Sequence, residues 1–188
     1  MRLSDFGFTE GINEVIVVTI GEFINTAPIG IIVENPESDI AKAKIYPSHT
    51  RENIEKGSKV YANITNDPIV FAISAFDDLS EEYFLSLNPP ILKSALAYCE
   101  FDAKISGSYV ELKLLGGRVI SKSIRAVNRG FNALIEALVH ATRYRIFKSR
   151  DILDKILYYK RIVDKCGSKR EREAFKILME KIGLTEKF

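Results

Sequence analysis

Three segments organise this chain: Thr26-Ala-Pro-Ile-Gly30, Tyr46-Pro-Ser-His-Thr-Arg-Glu-Asn53 and Asn63-Ile-Thr-Asn-Asp67. Each lies at the edge of a short apolar run and is made of residue types that hold an anionic, planar ligand. In the middle segment, Pro47 has no N–H for a strand ladder, so it predicts the end of a strand. Thr50 is a residue type that caps a helix, and Gly57 is one that follows a helix end.

The predicted helix therefore begins at Thr50, and its free N–H groups point toward Ser48 and His49. A helix start favours phosphate through these donors and its dipole. Arg51 adds a fixed positive charge with a forked donor geometry. From this segment alone, an ordinary capped helix with nothing bound is the simpler interpretation.

The composition is that of a soluble globular protein. The chain has 188 residues and is 46% hydrophobic, which suffices for a core and fits either one domain plus an appendage or two small domains. Cys99 and Cys166 are far apart, which favours two reduced thiols over a disulfide or a metal site. The N-terminus does not resemble a signal peptide and no apolar run is long enough to cross a bilayer, so we expect a cytoplasmic location.

Charge is distributed unevenly along the chain. Residues 1–142 contain 13 Lys and Arg against 18 Asp and Glu, whereas residues 143–181 contain 13 against 6. An acidic body with a basic end can dock on itself, dimerise or present the basic end to an anion.

The first two thirds of the chain alternate short apolar runs with turn residues, which predicts about seven strands and one early helix. A series of this kind favours a closed antiparallel barrel. Counted one by one, the candidate strands are eight: Ile12 to Ile20, Ala27 to Val33, Ala41 to Tyr46, Lys59 to Thr65, Ile69 to Ala75, Tyr98 to Ile105, Tyr109 to Leu115 and Arg118 to Ile124. Asp78 to Leu87 is predicted as a short helix, and Gly116-Gly117 as a turn.

The second predicted strand, Ala27 to Val33, contains a proline and a glycine, which are uncommon inside strands. Pro28 cannot donate to a ladder, which places it at an edge or a barrel mouth. Gly30 inside a strand indicates a bulge or a close backbone approach. Together they leave backbone exposed where a flat ligand can lie.

The period changes to that of a helix near Ser123. The first helix has an apolar stripe of Phe131, Leu134, Ile135, Leu138, Val139, Thr142 and Ile146 and a polar stripe of Arg129, Asn132, Glu136, His140 and Arg143. Glu136 and His140 share a face, but two ligands do not make a metal site, so no metal is expected. A second helix ends at Gly167, and Ser168 with Glu171 forms a capping box before a third. The predicted domains are 1–122 and 123–188.

The pattern resembles the archaeal DUF447 family over nearly the whole chain. It is carried by the three segments quoted above and by Asn128-Arg-Gly-Phe-Asn-Ala-Leu-Ile-Glu-Ala-Leu-Val-His-Ala-Thr-Arg143. That family is similar to the FMN-binding split barrels, which include flavin reductases and pyridoxamine phosphate oxidases. The resemblance implies an antiparallel split β-barrel followed by a small helical unit, FMN as cofactor, and a homodimer with FMN near the interface.

The resemblance also implies which residues hold the cofactor. Ser48, Thr50 and Arg51 are expected on the phosphate, with His49 and Asn53 beside them. The backbone of Thr26, Ala27, Pro28, Ile29 and Gly30 is the candidate for the isoalloxazine edge. Asn63, Asn66 and Asp67 are candidates for ring or ribityl contacts, because a flavin edge takes both donors and acceptors. No catalytic side chain is named, since a flavin carries the chemistry itself.

Three functions remain open at this stage. The first is a flavin reductase-like oxidoreductase with an unknown substrate and electron donor. The second is a module that holds flavin or another anion without turnover. The third is a nucleic-acid binder that uses the basic region 143–181, where Arg143, Arg145, Lys148 and Arg150 alternate with Tyr144 and Phe147. A solvated helix surface against an acidic neighbour explains that region equally and is preferred.

Overall fold

The computed structural model describes residues 1–184 and divides by contacts into two units. The first unit comprises residues 1–66 and 78–123, and the second comprises residues 67–77 and 124–188. Residues 67–77, which the sequence assigns to the barrel domain, thus belong to the second unit. Residues 185–188, at the end of the predicted helical domain, lie outside the described part of the chain.

The first unit is a closed antiparallel barrel, as the sequence predicts, with six strands in the order β1-β2-β3-β8-β7-β4. These strands are β1 (Gly11–Ile20), β2 (Ile24–Val33), β3 (Ile40–Lys44), β4 (Val60–Thr65), β7 (Ala95–Ser106) and β8 (Tyr109–Val119). Helix α1 (His49–Glu55) connects β3 to β4. A separate two-stranded sheet is formed by β5 (Phe84–Leu87) and β6 (Pro90–Leu92), and short 3₁₀ turns lie at Leu3–Phe6 and Glu81–Tyr83.

The barrel core is filled by alternate residues of the strands. Val15 and Val17 of β1, Ile31 and Val33 of β2, and Phe101 of β7 are almost fully buried. Period-two alternation directs these side chains inward while their neighbours face outward. Leu3 and Phe6 of the early 3₁₀ turn, and Phe8 after it, belong to the same core.

Two predicted strands are wrong. The run Ile69 to Ala75 forms helix α2 (Pro68–Ser74), because Asp67 accepts a hydrogen bond from the Ile69 N–H at 3.0 Å and Pro68 takes the first helical position. Arg118 to Ile124 is also wrong, since β8 ends at Val119 and the chain has no regular secondary structure from there to Asn128.

The predicted turn at Gly116-Gly117 is wrong as well, because both glycines lie inside β8. The pairing of β7 with β8 shifts register between Glu100 and Phe101, opposite these glycines. A Cβ on Gly117 would lie 2.4 Å from the Tyr98 carbonyl oxygen, so the strand passes this point only with glycine. The predicted short helix over Asp78 to Leu87 is limited to the 3₁₀ turn, followed by β5.

The second unit contains α2, α3 (Arg129–Phe147), α4 (Arg150–Cys166) and α5 (Lys169–Lys181). Helix α3 buries a face of small residues, Gly130, Ala133, Ala137 and Ala141, together with Leu134 and Leu138. The predicted apolar stripe is therefore only partly right, because Ile146 is 75% exposed. The break at Gly167 and the capping box of Ser168 and Glu171 are confirmed.

None of the helices within residues 1–184 combines the length and the apolar character that a membrane span requires. Both cysteines are free, as predicted. Cys99 is fully buried in the barrel, and burial raises the pKa of its thiol to about 12.

Candidate functional site

The first half of β2 has a strand partner on one side only. Strand β2 pairs with β1 along its whole length but with β3 only at Ile31 and Ile32. Residues 27–30 are half-buried, and Pro28, which has no N–H to give, lies among them opposite Ile16 of β1. Within the described chain, this part of the barrel thus offers backbone that no neighbouring strand uses.

Gly30 is glycine because its own neighbours leave no space. A Cβ at this position would lie 2.6 Å from Cγ2 of Ile12 and 2.9 Å from Oε1 of Glu14, both on β1. The sequence predicts a bulge or a close backbone approach at Gly30, whereas the groups nearest to it in the structure are side chains of the adjacent strand.

Helix α1 begins at His49 and is capped by Ser48, so the predicted cap at Thr50 is wrong. The Ser48 hydroxyl accepts from the Arg51 N–H at 3.4 Å and donates to the Tyr46 carbonyl oxygen at 3.0 Å. Thr50 instead lies in the first turn with its side chain buried, because the cap lies two residues earlier than the pattern indicates. Gly57 follows the helix end with φ +90°, as predicted.

A buried polar network ties α1 to the first hairpin. Thr50 Oγ1 donates to Asn25 Oδ1 at 2.7 Å, and Asn53 Nδ2 donates to Thr19 Oγ1 at 3.1 Å. Thr19 in turn contacts Asn25 Oδ1 at 3.4 Å. All four side chains are at most 8% exposed. Thr50 and Asn53, both predicted to bind the cofactor, therefore use their side chains to position α1.

The same network reaches the segment after α2. Asp78 Oδ1 accepts from Asn25 Nδ2 at 2.9 Å and from the Thr26 N–H at 2.7 Å. Thr26 Oγ1 accepts from the Leu79 N–H at 2.9 Å. Thr26, a predicted site residue, is thus engaged through both its backbone and its side chain. Such networks rigidify a site when every group is satisfied.

Sequence reasoning missed Thr19, Asn25 and Asp78 as members of this network. Thr19 and Asn25 are directly paired across the β1–β2 hairpin. Polar residues at the end of an otherwise β-branched apolar strand were the available sign, because a buried polar group requires a partner.

The exposed rim of this region is formed by His49 and Arg51. The His49 ring makes an edge-to-face contact with Phe23 at 5.8 Å, and its Nδ1 lies 3.3 Å from Glu52. Arg51 donates through Nε to Glu55 at 2.9 Å and through Nη1 to the Gly107 carbonyl oxygen at 3.1 Å. The side chain of Arg51 is thereby held along the helix, with its charge at the surface.

The third predicted segment has mainly structural contacts. Asn63 is fully buried in β4 and fixes β6, accepting from the Leu92 N–H at 2.9 Å and donating to the Pro90 carbonyl oxygen at 3.3 Å. Asp67 caps α2 and accepts from Arg170 through both carboxylate oxygens at 2.7 Å. Asn66 is exposed. A role for these three residues in cofactor binding stays a prediction.

Comparison with known proteins identifies the family. Residues 13–125 match the model described as "Protein of unknown function (DUF447) N-terminal domain", and residues 128–180 match the model "Protein of unknown function (DUF447)". The chain belongs to the DUF447 family. A crystal structure described as the FMN-bound protein MM1853 of Methanosarcina mazei shares 34% identity with it. The match covers 95% of this chain and 99% of that one, with a TM-score of 0.85.

More distant similarities are to flavin reductases. The styrene monooxygenase flavin reductase of Pseudomonas putida S12 is 11% identical, with a TM-score of 0.45, over 63% of this chain and 87% of that one. The flavin reductase HpaC, complexed with NADP⁺, is 16% identical, with a TM-score of 0.45, over 60% and 81% of the two chains.

The stretch that carries the family resemblance, Asn128 to Arg143, has a structural explanation at its start. Asn128 caps α3, accepting from the N–H groups of Gly130 at 2.9 Å and Phe131 at 3.2 Å. Its amide lies 3.5 Å from Oε1 of Glu171, the first acidic residue of α5. Arg125 lies over the Phe131 ring at 4.4 Å and 3.7 Å from the same carboxylate.

Glu171 is a buried carboxylate that hydrogen bonds keep ionised. Burial alone would raise its pKa, but hydrogen bonds from the Ser168 hydroxyl and the N–H groups of Ser168 and Glu171, with the charge of Arg125, hold that pKa below its ordinary value. A carboxylate whose pKa is lower in the folded protein than in the unfolded chain stabilises the fold at pH values above the unfolded-state pKa. This stabilisation is lost as the pH falls through the folded-state pKa. This carboxylate therefore contributes to stability at neutral pH and ceases to do so in acid.

We expect Glu171→Gln to lower the free energy of unfolding at pH 7 by about 2 kcal/mol, because hydrogen bonds to a charged acceptor are lost. The difference from the parent protein shrinks as the pH falls from the ordinary glutamate pKa through the lower folded-state pKa, because the parent carboxylate then protonates as well. Thermal denaturation from neutral to acid pH measures this, with the exposed Glu136 of α3 changed to Gln as the control. An unchanged difference across the whole range would contradict the assignment.

Proposed function

We propose that this chain binds FMN on its barrel unit and acts as a flavin reductase-like oxidoreductase on an unknown substrate. The observation that carries the proposal is the 34% identical, FMN-bound relative, which matches over nearly the full length of both chains. The barrel supports it independently, because the half-buried stretch of β2 and the exposed start of α1 supply the two kinds of group that a flavin phosphate and ring require.

Fewer residues are placed to contact FMN directly than the sequence suggests. Among the α1-segment residues that the sequence assigns to the cofactor, Ser48, His49 and Arg51 are the ones outside the buried network, so they are the proposed phosphate contacts. The unpaired side of Ala27 to Gly30 is the proposed contact for the isoalloxazine edge. Thr26, Thr50 and Asn53 then serve as the support of these groups, through the buried network with Thr19, Asn25 and Asp78.

In this proposal the protein binds and positions FMN, and the cofactor carries out the redox chemistry. When bound, FMN supplies the hydride-transfer chemistry. Arg51 offsets phosphate charge, Ser48 offers a hydroxyl, and the β2 backbone offers hydrogen-bonding groups to a planar edge. The buried network holds α1 against β1 and β2, which fixes the distance between the phosphate contacts and the ring contacts.

We also propose that the active form is a homodimer with FMN near the interface. The large apolar side chains that the barrel unit exposes include Ile12, Phe23, Ile40 and Tyr46, each exposed by 48–70%. Phe23 and Tyr46 belong to the same region as the proposed phosphate contacts, since Phe23 touches His49 and Tyr46 bonds Ser48. Burial of such side chains on a second copy is favourable, at about 25 cal/mol per Å² of apolar surface.

The experiment is to load the protein with FMN, remove excess flavin and measure NADH and NADPH oxidation with free flavin or oxygen as acceptor. Light scattering on the same sample gives the mass, expected at about 42 kDa from 21.2 kDa per chain. Retained FMN with donor oxidation supports the full proposal. Retained FMN with no oxidation by either donor would replace the oxidoreductase with a non-catalytic flavin module.

A further inference from the structure

The helical unit carries a positive charge that the flavin proposal does not use. Residues 67–77 and 124–188 contain 16 Lys and Arg against 10 Asp and Glu, whereas the barrel unit contains 11 against 15. The excess is therefore a property of one unit, and the arrangement of its cations on α3 and α4 decides what it can bind.

The outward side of α4 has cations that its own carboxylates do not neutralise. Asp154 pairs with Arg150 at 3.1 Å and Asp164 pairs with Lys160 at 2.9 Å. Lys155, Arg161 and Lys165 are exposed, and no ion pair within residues 1–184 engages them. Lys155 and Lys165 are ten residues apart, which is about 15 Å along a helix. This spacing suits an extended chain of negative charges better than a single anion.

Aromatic rings lie among these cations. Tyr158 is 60% exposed and contacts the Tyr159 ring edge-on at 5.5 Å. Tyr159 stacks on His140 of α3 at 5.9 Å with an interplanar angle of 19°. Tyr159 thus contacts both the His140 ring and the Tyr158 ring, and Tyr158 remains exposed at the surface.

Positive charge extends from α4 onto α3 at the same place. Burial, Lys155 and Arg143 all lower the pKa of His140, in that order of importance, while Glu136 opposes them. Both cations therefore lie near the His140–Tyr159 stack. The surface formed by Arg143, His140, Lys155, Tyr158, Tyr159, Arg161 and Lys165 is called the aromatic–basic face below.

We propose that the aromatic–basic face binds single-stranded nucleic acid. Its cations match the phosphates of an extended strand, and Tyr158 offers a stacking surface for a base. Guanidinium groups add to both contacts, because they pair with phosphate and stack on bases. The proposal is independent of FMN, since every residue of this face belongs to the helical unit.

The test is fluorescence anisotropy of a labelled oligothymidine and a labelled oligouridine, each about 20 nucleotides long, titrated with the full chain from about 50 to 200 mM salt. Two double variants are compared. Arg161→Ala with Lys165→Ala removes two cations of the face, and Lys169→Ala with Lys176→Ala removes two exposed cations of α5 and so gives the same net charge. Tyr158→Ala tests stacking.

We expect the parent to bind at low salt and the α4 double variant to reduce the slope of log affinity against log salt by about 1.4, at roughly 0.7 per phosphate contact. The α5 double variant keeps the parent slope. Tyr158→Ala weakens binding about 10-fold with the slope unchanged.

Three results would overturn the proposal. They are no binding of either oligonucleotide at low salt, equal losses in the two double variants, and full affinity in Tyr158→Ala. An α4 double variant that turns a dimer into a monomer without any oligonucleotide binding would assign the face to a second copy instead, and would also overturn it. Melting temperatures of all variants show whether the helical unit stays folded.

Discussion

Changing Ser48 and Arg51 together to alanine is expected to weaken FMN binding by about 100-fold while the barrel stays folded. Hydrogen bonds to a charged group are worth roughly 1.5–3 kcal/mol each, and this variant removes a hydroxyl and a guanidinium from the proposed phosphate contacts. Ser48 is exposed and Arg51 is only one quarter exposed, but neither belongs to the buried network. Flavin fluorescence titration measures the affinity.

Two matched variants separate binding from folding in that experiment. Lys56→Ala removes an exposed cation at the other end of α1 and is expected to leave FMN affinity unchanged. Thr50→Ala breaks the 2.7 Å bond to Asn25 and is expected to lower the melting temperature. If the Ser48 and Arg51 double variant binds FMN like the parent, the phosphate lies elsewhere.

Gly130→Ala is expected to destabilise the helical unit by roughly 3 kcal/mol, because the new methyl group has no space. A Cβ at Gly130 would lie 2.4 Å from the Gly167 Cα and 2.5 Å from its nitrogen, and 3.0 Å from the Cys166 carbonyl carbon. All three are backbone atoms, which cannot turn away as a side chain can. The start of α3 and the junction of α4 with α5 would have to separate.

For a loss of this size the melting temperature should fall by about 6–12 °C if the whole chain unfolds as one, and by about 12–24 °C if the helical unit unfolds by itself. Asn132→Ala is the control, since it adds no volume at an exposed position of the same helix. Equal melting temperatures for the parent and Gly130→Ala would show that the two backbones are farther apart than the structure places them. Calorimetry resolves the two units if they unfold separately.

The barrel was predictable because its strands follow simple rules. Val15 to Ile20 is continuous and β-branched, Ala41 to Ile45 alternates, and glycine or proline separates the runs. The apolar run Ile69 to Ala75 failed because periodicity does not separate a short buried helix from a buried strand. The Asp67-Pro68 pair at the start of α2 is a helix-start signal that favours the helix over the strand.

Cofactor binding by the candidate residues stays a prediction, and only part of their local structure could be predicted from the sequence. The segments around Ala27 and Ser48 were found from residue types that suit a planar anion, and the structure gives both of them accessible groups. The sequence did not indicate which residues of these segments would be accessible and which would be buried in the polar network. Thr50 and Asn53 point into a network with Thr19 and Asn25, and such long-range partners depend on the closed barrel.

In the helical unit, too, the sequence did not indicate which residues would be buried. The polar stripe and the small residues of α3 were visible in the sequence, yet which stripe is buried depends on how closely α4 approaches. Gly130 and the alanines permit that approach, so the small face is the buried one and Ile146 remains exposed. Packing density, rather than hydrophobicity alone, selects the interface.

The most direct test of the central claim is a titration of the purified chain with FMN, followed by desalting and an absorbance scan over the flavin bands. The account predicts that flavin stays with the protein in a ratio near one per chain, and that the Ser48 and Arg51 double variant loses it on the column. Flavin that separates fully from the parent protein at every concentration tested would contradict FMN binding by this barrel.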